Sequence, residues 1–240
     1  MNDTGIRSYP ASRAFDWLAE GWRLFKLSPK VWLLATVMSV VISLLLAAIP
    51  KVGQLLANFA ALFLFGGLLL IAQDVDAGRT PPLSRLFAVF QTQLVPVLLT
   101  TVLMSLVVGI LVFVVVLVAG GTAVMGGLTA GSAAKLFSLS AGGVVMLLGA
   151  LAIMAVSSAL WFSPGLVVLR NMGAWDSIKQ SALGFLRNWT AMLLMTVIFF
   201  GLAIAATIPF GLGWLVLTPV LCAASYASIK DVFAGADAAV

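Results

Sequence analysis

The chain has 240 residues, of which 62% are hydrophobic and 9% are charged, with a net charge of +5 and a mean hydropathy of +1.18. Soluble domains carry about 25% charged residues, so this composition excludes an ordinary soluble domain and predicts that lipid covers most of the surface. With no histidine and a single cysteine, Cys222, the chain has no means to form an internal disulfide, a Cys/His metal site or a serine–histidine catalytic pair.

The apolar runs predict membrane helices rather than the strands of a barrel. In lipid every backbone polar group must be bonded inside a helix or a closed barrel. Barrel strands alternate polar and apolar residues over about 10 positions, whereas the runs here are continuous and about 20 residues long, which is the length of a spanning helix. The predicted spans are residues 31–49, 55–72, 95–118, 144–169, 189–208 and 212–229.

A short segment with one apolar and one charged side precedes each pair of spans. Residues 10–26 form the first segment, Thr80-Pro81-Pro82 predicts the start of the second, and Ala174–Arg187 is the third. Helices with aromatic side chains on one face and Arg or Lys on the other lie in the membrane interface. In the first segment the apolar face holds Ala14, Phe15, Leu18, Trp22 and Phe25, and the opposite face holds Arg13, Asp16, Glu20, Arg23 and Lys26.

Prolines and glycines indicate where the spans turn. Tight turns are predicted at Pro50–Gly53 and at Pro209–Gly211. Pro164 interrupts the fourth span and predicts a kink there. The glycine-rich residues 120–143 predict a flexible loop between the third and fourth spans.

The order of these elements predicts an internal repeat. Trp32, Pro50, Asp74 and Gly78 have counterparts at offsets of 157, 159, 157 and 157 residues. We therefore expect one integral membrane domain, residues 1–240, made of three units of one interfacial helix and one hairpin, at about 10–78, 79–169 and 170–235.

The basic residues predict the orientation of the spans. With six spans, both termini and the interfacial segments share one side, and that side holds eleven of the thirteen basic residues, whereas the other holds Lys51 and Lys135. Because basic residues concentrate on the cytoplasmic side, both termini are expected in the cytoplasm. The eleven are Arg7, Arg13, Arg23, Lys26, Lys30, Arg79, Arg85, Arg170, Lys179, Arg187 and Lys230.

Candidate functional residues lie at the ends of the spans. Asp74 is the deepest acid and is interpreted as a solvated residue at a helix end, with a gate or an ion site as the alternative. Arg170, Asn171, Asp176 and Lys179 follow the fourth span and are the candidates for contact with a lipid headgroup or a partner. The alternative for these four is ordinary anchoring of the chain at the membrane surface.

The stretch from Phe162 to Trp189 resembles a signature of bacterial six-span membrane families. These families are related to the membrane domain that precedes some glycerophosphodiester phosphodiesterases. Residues 21–78 are similar to the same group, and the resemblance implies a bacterial inner-membrane protein without assigning an activity. No phosphodiesterase domain is present, so that activity does not carry over. The matching residues are Phe162, Pro164, Leu166, Val167, Val168, Gly173, Trp175, Ser181, Asn188 and Trp189.

Two functions follow as expectations. The first is a non-enzymatic inner-membrane protein that acts as an accessory or scaffold, or that organises lipid, with membrane lipids and other membrane proteins as partners and with neither cofactor nor nucleic acid. The second is a small permease or lipid transporter. A closed, packed bundle favours the first function, and a polar cavity at mid-depth between the spans favours the second.

Overall fold

The computed structural model of the chain describes residues 5–128 and 132–235, and all regular secondary structure in those residues is helical. Six stretches of the described chain are long and apolar enough to cross a membrane. The predicted all-α, polytopic membrane class is therefore confirmed. The six stretches are Pro29–Ala47, Gly53–Asp76, Leu94–Thr122, Ser140–Arg170, Trp189–Thr207 and Trp214–Val232.

The helices are labelled in chain order, and a 3-10 turn at Leu83–Phe87 precedes α4. Their bounds are α1 (Arg13–Leu27), α2 (Pro29–Ala47), α3 (Gly53–Asp76), α4 (Ala88–Thr92), α5 (Leu94–Leu128), α6 (Ser132–Ala159), α7 (Ser163–Arg170), α8 (Ala174–Arg187), α9 (Trp189–Thr207) and α10 (Trp214–Val232).

The chain forms two compact units. Unit one comprises the described residues up to Thr101 and those from Trp161 onward, and unit two is Val102–Leu160. The predicted middle repeat, residues 79–169, is thus divided between the two units. Unit two consists of most of α5 and of α6, whose apolar side chains, such as Phe113 and Leu147, are largely exposed. An apolar surface of this extent requires cover by lipid or protein.

The prediction of a flexible loop at residues 120–143 is wrong in the described part of the chain. Helix α5 continues to Leu128 and α6 begins at Ser132, while residues 129–131 of the predicted loop lie outside the described residues. Glycine is common in membrane helices because lipid offers the backbone no competing hydrogen bonds. A glycine-rich sequence therefore marks a loop less reliably in lipid than in water.

The second interfacial segment is only partly α-helical. It forms the 3-10 turn Leu83–Phe87 and then α4, and it begins after Pro82 without a side-chain cap. Leu86 and Val89 are fully buried, and the Phe90 ring stacks on the Phe63 ring with 4.6 Å between centroids.

The two proline turns are confirmed, and their backbones are alike. Lys51 and Phe210, each directly after its proline, adopt left-handed φ values of 69° and 52°. Helices α2 and α3 then approach at Gly53, where an added Cβ would lie 2.4 Å from the Leu46 carbonyl oxygen. Helices α9 and α10 approach at Gly213 in the same way, since a Cβ there would lie 2.5 Å from the Ala206 Cα. The likeness supports the predicted repeat, which remains a prediction.

The core of unit one lies between α1, α2, α3, α7 and α10. Its largest fully buried side chains include Trp17, Trp32 and Phe162. The Trp32 indole Nε1 donates a hydrogen bond of 3.1 Å to the Leu24 carbonyl oxygen, which fixes the junction of α1 and α2. Pro164 starts α7 instead of kinking a continuous helix, because proline lacks the N–H that a helix interior needs.

Candidate functional site: a charged end of unit one

Helix α1 packs lengthwise against the hairpin of α9 and α10. At its start Ala14 is buried with Met195 and Ala224. Two turns further on, a Cβ added to Gly21 would lie 2.4 Å from the Val220 carbonyl oxygen. Later residues of α1 therefore contact earlier residues of α10, which means that the two helices run antiparallel. Their backbones are nearly in contact at Gly21.

The residues of α1 that make this contact form a stripe that the sequence analysis missed. Trp17, Gly21 and Leu24 are buried. Of the predicted apolar face, Ala14 and Phe25 are also buried, whereas Phe15 and Trp22 are 57% and 46% exposed. The stripe combines a tryptophan, a glycine and a leucine between the two predicted faces. Its only signal in the sequence is the i, i+4, i+7 spacing of residues 17, 21 and 24.

Asp231, near the end of α10, holds the start of α1. Arg13 donates to Asp231 Oδ2 from Nε at 3.0 Å and contacts it from Nη2 at 2.8 Å. The Trp17 indole Nε1 donates to the same oxygen at 2.9 Å. The hydrogen bond and charge of Asp231 raise the pKa of Arg13.

Asp76, the last residue of α3, joins three elements. Its Oδ1 accepts a hydrogen bond from Arg23 Nη2 of α1 at 3.0 Å. Its Oδ2 accepts from the Tyr226 hydroxyl at 3.1 Å and from Lys230 Nζ at 2.5 Å, both in α10. The carboxylate is 12% exposed, so its negative charge is satisfied mainly by protein donors.

Arg23 also pairs with Glu20 one turn earlier in α1. Arg23 Nε donates to Glu20 Oε2 at 2.8 Å. This hydrogen bond is the main reason that the pKa of Glu20 lies below its ordinary value of 4.5. Arg23 therefore links Glu20 to Asp76 and ties α1 to the end of α3.

The interpretation of Asp74 as a solvated residue is wrong. Its side chain is 9% exposed and contacts Arg79 Nη2 at 2.6 Å and Arg85 Nε at 2.8 Å. Both arginines follow α3 in the chain, so the carboxylate closes the loop that leads to α4. The sequence spacing of Asp74 and Arg79 does not reveal this bend, because the backbone turns at Gly78 with a φ of +72°.

A cavity of about 460 Å³, here called the paired cavity, lies among these ion pairs. Three basic and four acidic side chains line it, and most of them bond to one another. The charged lining residues are Arg13, Arg23, Lys230, Asp16, Glu20, Asp76 and Asp231.

A second cavity of about 520 Å³, here called the basic cavity, shares the lining residues Tyr226 and Lys230 with the paired cavity. Among the described residues that line it, the two charged ones are both basic, Arg170 and Lys230. Gln73 and Asn171 add amide groups, and Leu169 and Ile229 complete the wall. Cations and hydrogen-bond donors in one wall suit the binding of an anion.

The structure separates the four predicted site residues into two pairs. Arg170 and Asn171 line the basic cavity. Asp176 and Lys179 are exposed on α8, where Lys179 Nζ lies 5.1 Å from the centroid of the Trp175 ring. The sequence analysis missed Gln73, Tyr226 and Lys230, because the convergence of the ends of α3, α7 and α10 has no signature in a single sequence.

The stretch from Phe162 to Trp189 makes several hydrogen bonds within unit one. Ser181 Oγ accepts a hydrogen bond of 3.0 Å from the Phe162 backbone N–H at the start of α7. Asn188 is fully buried; its Oδ1 accepts from the Tyr9 N–H at 2.8 Å, and its Nδ2 donates to the Arg7 carbonyl oxygen at 2.9 Å. Both side chains thus satisfy backbone groups, which is a structural role.

The fold and this charged end define a helical, multi-pass membrane protein with an anion-compatible cavity at one end of its compact unit. The chain belongs to the family described as a domain of unknown function, DUF7847, which matches residues 25–239. No curated protein and no solved structure matches the chain.

Proposed function

We propose that this chain is a non-catalytic accessory protein of a bacterial inner membrane that holds anionic lipid or a membrane partner at its charged end. The observation that carries the proposal is the basic cavity, a space of about 520 Å³ whose charged lining residues, in the described part of the chain, are Arg170 and Lys230. The stretch Phe162–Trp189 resembles bacterial six-span families, which are related to the membrane domain preceding some glycerophosphodiester phosphodiesterases. This resemblance supports a bacterial inner membrane as the location of the chain.

The distribution of basic residues supports a cytoplasmic position for the charged end. The predicted topology puts eleven of the thirteen basic residues on the side of the termini, and basic residues concentrate on the cytoplasmic side of a membrane. That leaflet also carries the anionic lipids that a basic cavity attracts.

The alternative is a lipid transporter, and one observation favours it. An apolar groove of about 460 Å³ runs between α1, α9 and α10, lined among others by Leu18, Trp22 and Leu202. Ala19 lines both this groove and the paired cavity. However, Asp76 and Lys230 place the charged cavities in the last turns of α3 and α10, and not at mid-depth, which favours the accessory role.

Purification in a gentle detergent at native expression, followed by mass spectrometry of bound lipids and proteins, tests the proposal. We expect anionic phospholipid or one stoichiometric membrane protein to accompany the chain. Recovery of neither would contradict the accessory role. Movement of labelled lipid between the leaflets of vesicles that contain the purified chain would instead support the transporter.

A further inference from the structure

We infer that the junction of α1 and α2, together with the apolar groove beside α1, is a binding site for one anionic phospholipid. Lys26 and Lys30 hold the headgroup, and the groove between α1, α9 and α10 holds an acyl chain. The inference goes beyond the proposed function, because this site and the basic cavity have no lining residue in common.

Two lysines give the junction its charge. Lys26 lies in the last turn of α1 and Lys30 in the first turn of α2, and both residues are exposed. Neither lysine has an ion-pair partner among the residues that the structure describes. By contrast, Arg23 of α1 bonds to Glu20 and Asp76. The two lysines therefore leave a local positive charge that suits an anionic headgroup.

The helix dipole accounts for only one of the two lysines. A base in the last turn, such as Lys26, is favoured by the negative end of α1. Lys30 instead lies at the positive end of α2, where the first turn holds no acid to offset it. Lys30 thus weakens its own helix, and an anionic headgroup beside it would reverse that cost.

The junction is held by hydrogen bonds that fix the backbone positions of the two lysines. The buried Trp32 indole Nε1 donates to the Leu24 carbonyl oxygen at 3.1 Å. The Ser28 N–H donates to the Phe25 carbonyl oxygen at 3.3 Å, and the Trp32 N–H donates to the Ser28 carbonyl oxygen at 3.2 Å. Because the start of α2 is thereby fixed against the end of α1, less conformational entropy is lost when two cations from two helices bind one headgroup.

The groove beside α1 supplies the apolar half of the site. Leu18 and Trp22 line it and precede Lys26 at steps of four residues, so the three side chains lie on one face of α1. The opposite wall belongs to α9 and α10, which are candidate membrane spans. Trp22 is 46% exposed and Leu202 is 38% exposed, so the groove opens on the lipid around these spans. Lys26 lies one turn beyond it along α1.

Small residues of the hairpin of α9 and α10 leave the groove unfilled. Ala205, Ala206 and Gly213 line it, and none has a side chain larger than a methyl group. Helix α1 has no room to move inward, because an added Cβ at Gly21 would lie 2.4 Å from the Val220 carbonyl oxygen. In a membrane such a groove takes up an acyl chain of any lipid, so the lysines one turn beyond it supply the selectivity for an anionic one.

The headgroup contacts are tested by removing the lysines. The full chain in dodecyl maltoside is titrated with phosphatidylglycerol and, for comparison, with zwitterionic phosphatidylcholine, and the dissociation constants are measured by native mass spectrometry. We expect Lys30→Gln to weaken phosphatidylglycerol binding about threefold and its combination with Lys26→Gln about tenfold, with phosphatidylcholine binding unchanged. Lys51→Gln is the matched control, because Lys51 is an exposed base just beyond the opposite end of α2.

The acyl-chain contacts are tested by filling the groove. Ala205→Phe places a ring in the groove, and we expect both lipids to bind about threefold more weakly. Ile204→Phe is the control, because the neighbouring Ile204 is 68% exposed and does not line the groove. The melting temperature of each variant in the same detergent verifies that it is folded, and the smaller change Ala205→Leu replaces Ala205→Phe if the latter is not.

Three results would overturn the inference: equal binding of phosphatidylglycerol and phosphatidylcholine to the unmodified chain, equal effects of Lys30→Gln and Lys51→Gln, or equal effects of the changes at Ala205 and Ile204. Failure here is distinct from failure of the proposed function. Anionic lipid that accompanies the chain but binds the lysine variants unchanged contradicts this site and leaves the accessory role standing. Recovery of neither lipid nor partner contradicts the accessory role itself.

Discussion

The paired and basic cavities share Tyr226 and Lys230, are similar in volume and lie at the same end of unit one, yet their electrostatics differ. In the paired cavity three bases face four acids, and the ion pairs join α1, α3 and α10. In the basic cavity two bases face amides and apolar side chains. The described lining of the paired cavity therefore carries both signs of charge, whereas that of the basic cavity carries basic residues alone.

Lys230 belongs to both cavities and makes their difference testable. Its Nζ bonds to Asp76 in the paired cavity, while the same residue lines the basic cavity. Changes to the ion pairs of the paired cavity should therefore alter stability, and those that change the charge around Lys230 should alter binding as well.

The largest expected effect is on the close contact between α1 and α10, the two helices that supply most of the residues lining the paired cavity. Gly21→Ala places a Cβ 2.4 Å from the Val220 carbonyl oxygen and 2.8 Å from the Ala224 nitrogen, so α1 must move away from α10. We expect a loss of about 3 kcal/mol in the free energy of unfolding, measured by denaturant titration in detergent. Gly201→Ala is the control, since an added Cβ meets nothing within 4 Å there; equal effects of the two changes would refute the close contact.

A smaller effect is expected where the N-terminal segment is held. Asn188→Ala leaves the Tyr9 N–H and the Arg7 carbonyl oxygen without their side-chain partner, at a cost of about 2 kcal/mol. Proteolysis near residues 6–12 should become faster, while the amount of anionic lipid that accompanies the purified chain stays unchanged. Asn58→Ala is the control because exposed Asn58 bonds to Gln54 alone among the contacts described. Equal resistance of the Asn188→Ala variant and the unmodified chain to proteolysis would show that Asn188 does not hold the N-terminal segment.

The smallest effect concerns Glu20 and pH. Because the folded-state pKa of Glu20 lies below its ordinary value of 4.5, its pairing with Arg23 stabilises the fold above about pH 4.5 and is lost as pH falls through the lowered pKa. The pair is partly exposed, so we expect less than about 1 kcal/mol. Glu20→Gln should lose this part of the pH dependence, and an identical pH profile in both proteins would show that the pair contributes nothing.

The fold was more predictable from the sequence than the site, for a physical reason. In lipid each span must form its backbone hydrogen bonds within itself. A long apolar run, such as the one beginning at Trp189, is therefore recognisable from the local sequence alone. Arg170 and Asn171 were identifiable because they are polar residues that end an apolar run. Gln73 and Lys230 lie 157 residues apart and come close to Arg170 only through the packing of the helices. A single sequence has no local pattern that predicts this packing.

Two predictions from the sequence were wrong because the surroundings of the residues differ from water. Glycine predicted a loop at 120–143, although lipid lets such residues continue a helix through Leu128. An acid at the end of a span predicted solvation, although Arg79 and Arg85 bury Asp74. Both errors apply expectations from water to a chain whose surroundings are lipid or neighbouring charges.

The most direct test of the difference between the two cavities is the affinity of Asp76→Asn for phosphatidylglycerol in dodecyl maltoside. The substitution removes the negative charge that holds Lys230, so the basic cavity becomes more positive while the ties to α1 weaken. The account predicts a lower melting temperature together with phosphatidylglycerol binding that is about threefold to tenfold tighter. Binding that is unchanged or weaker in the folded Asp76→Asn protein would contradict it.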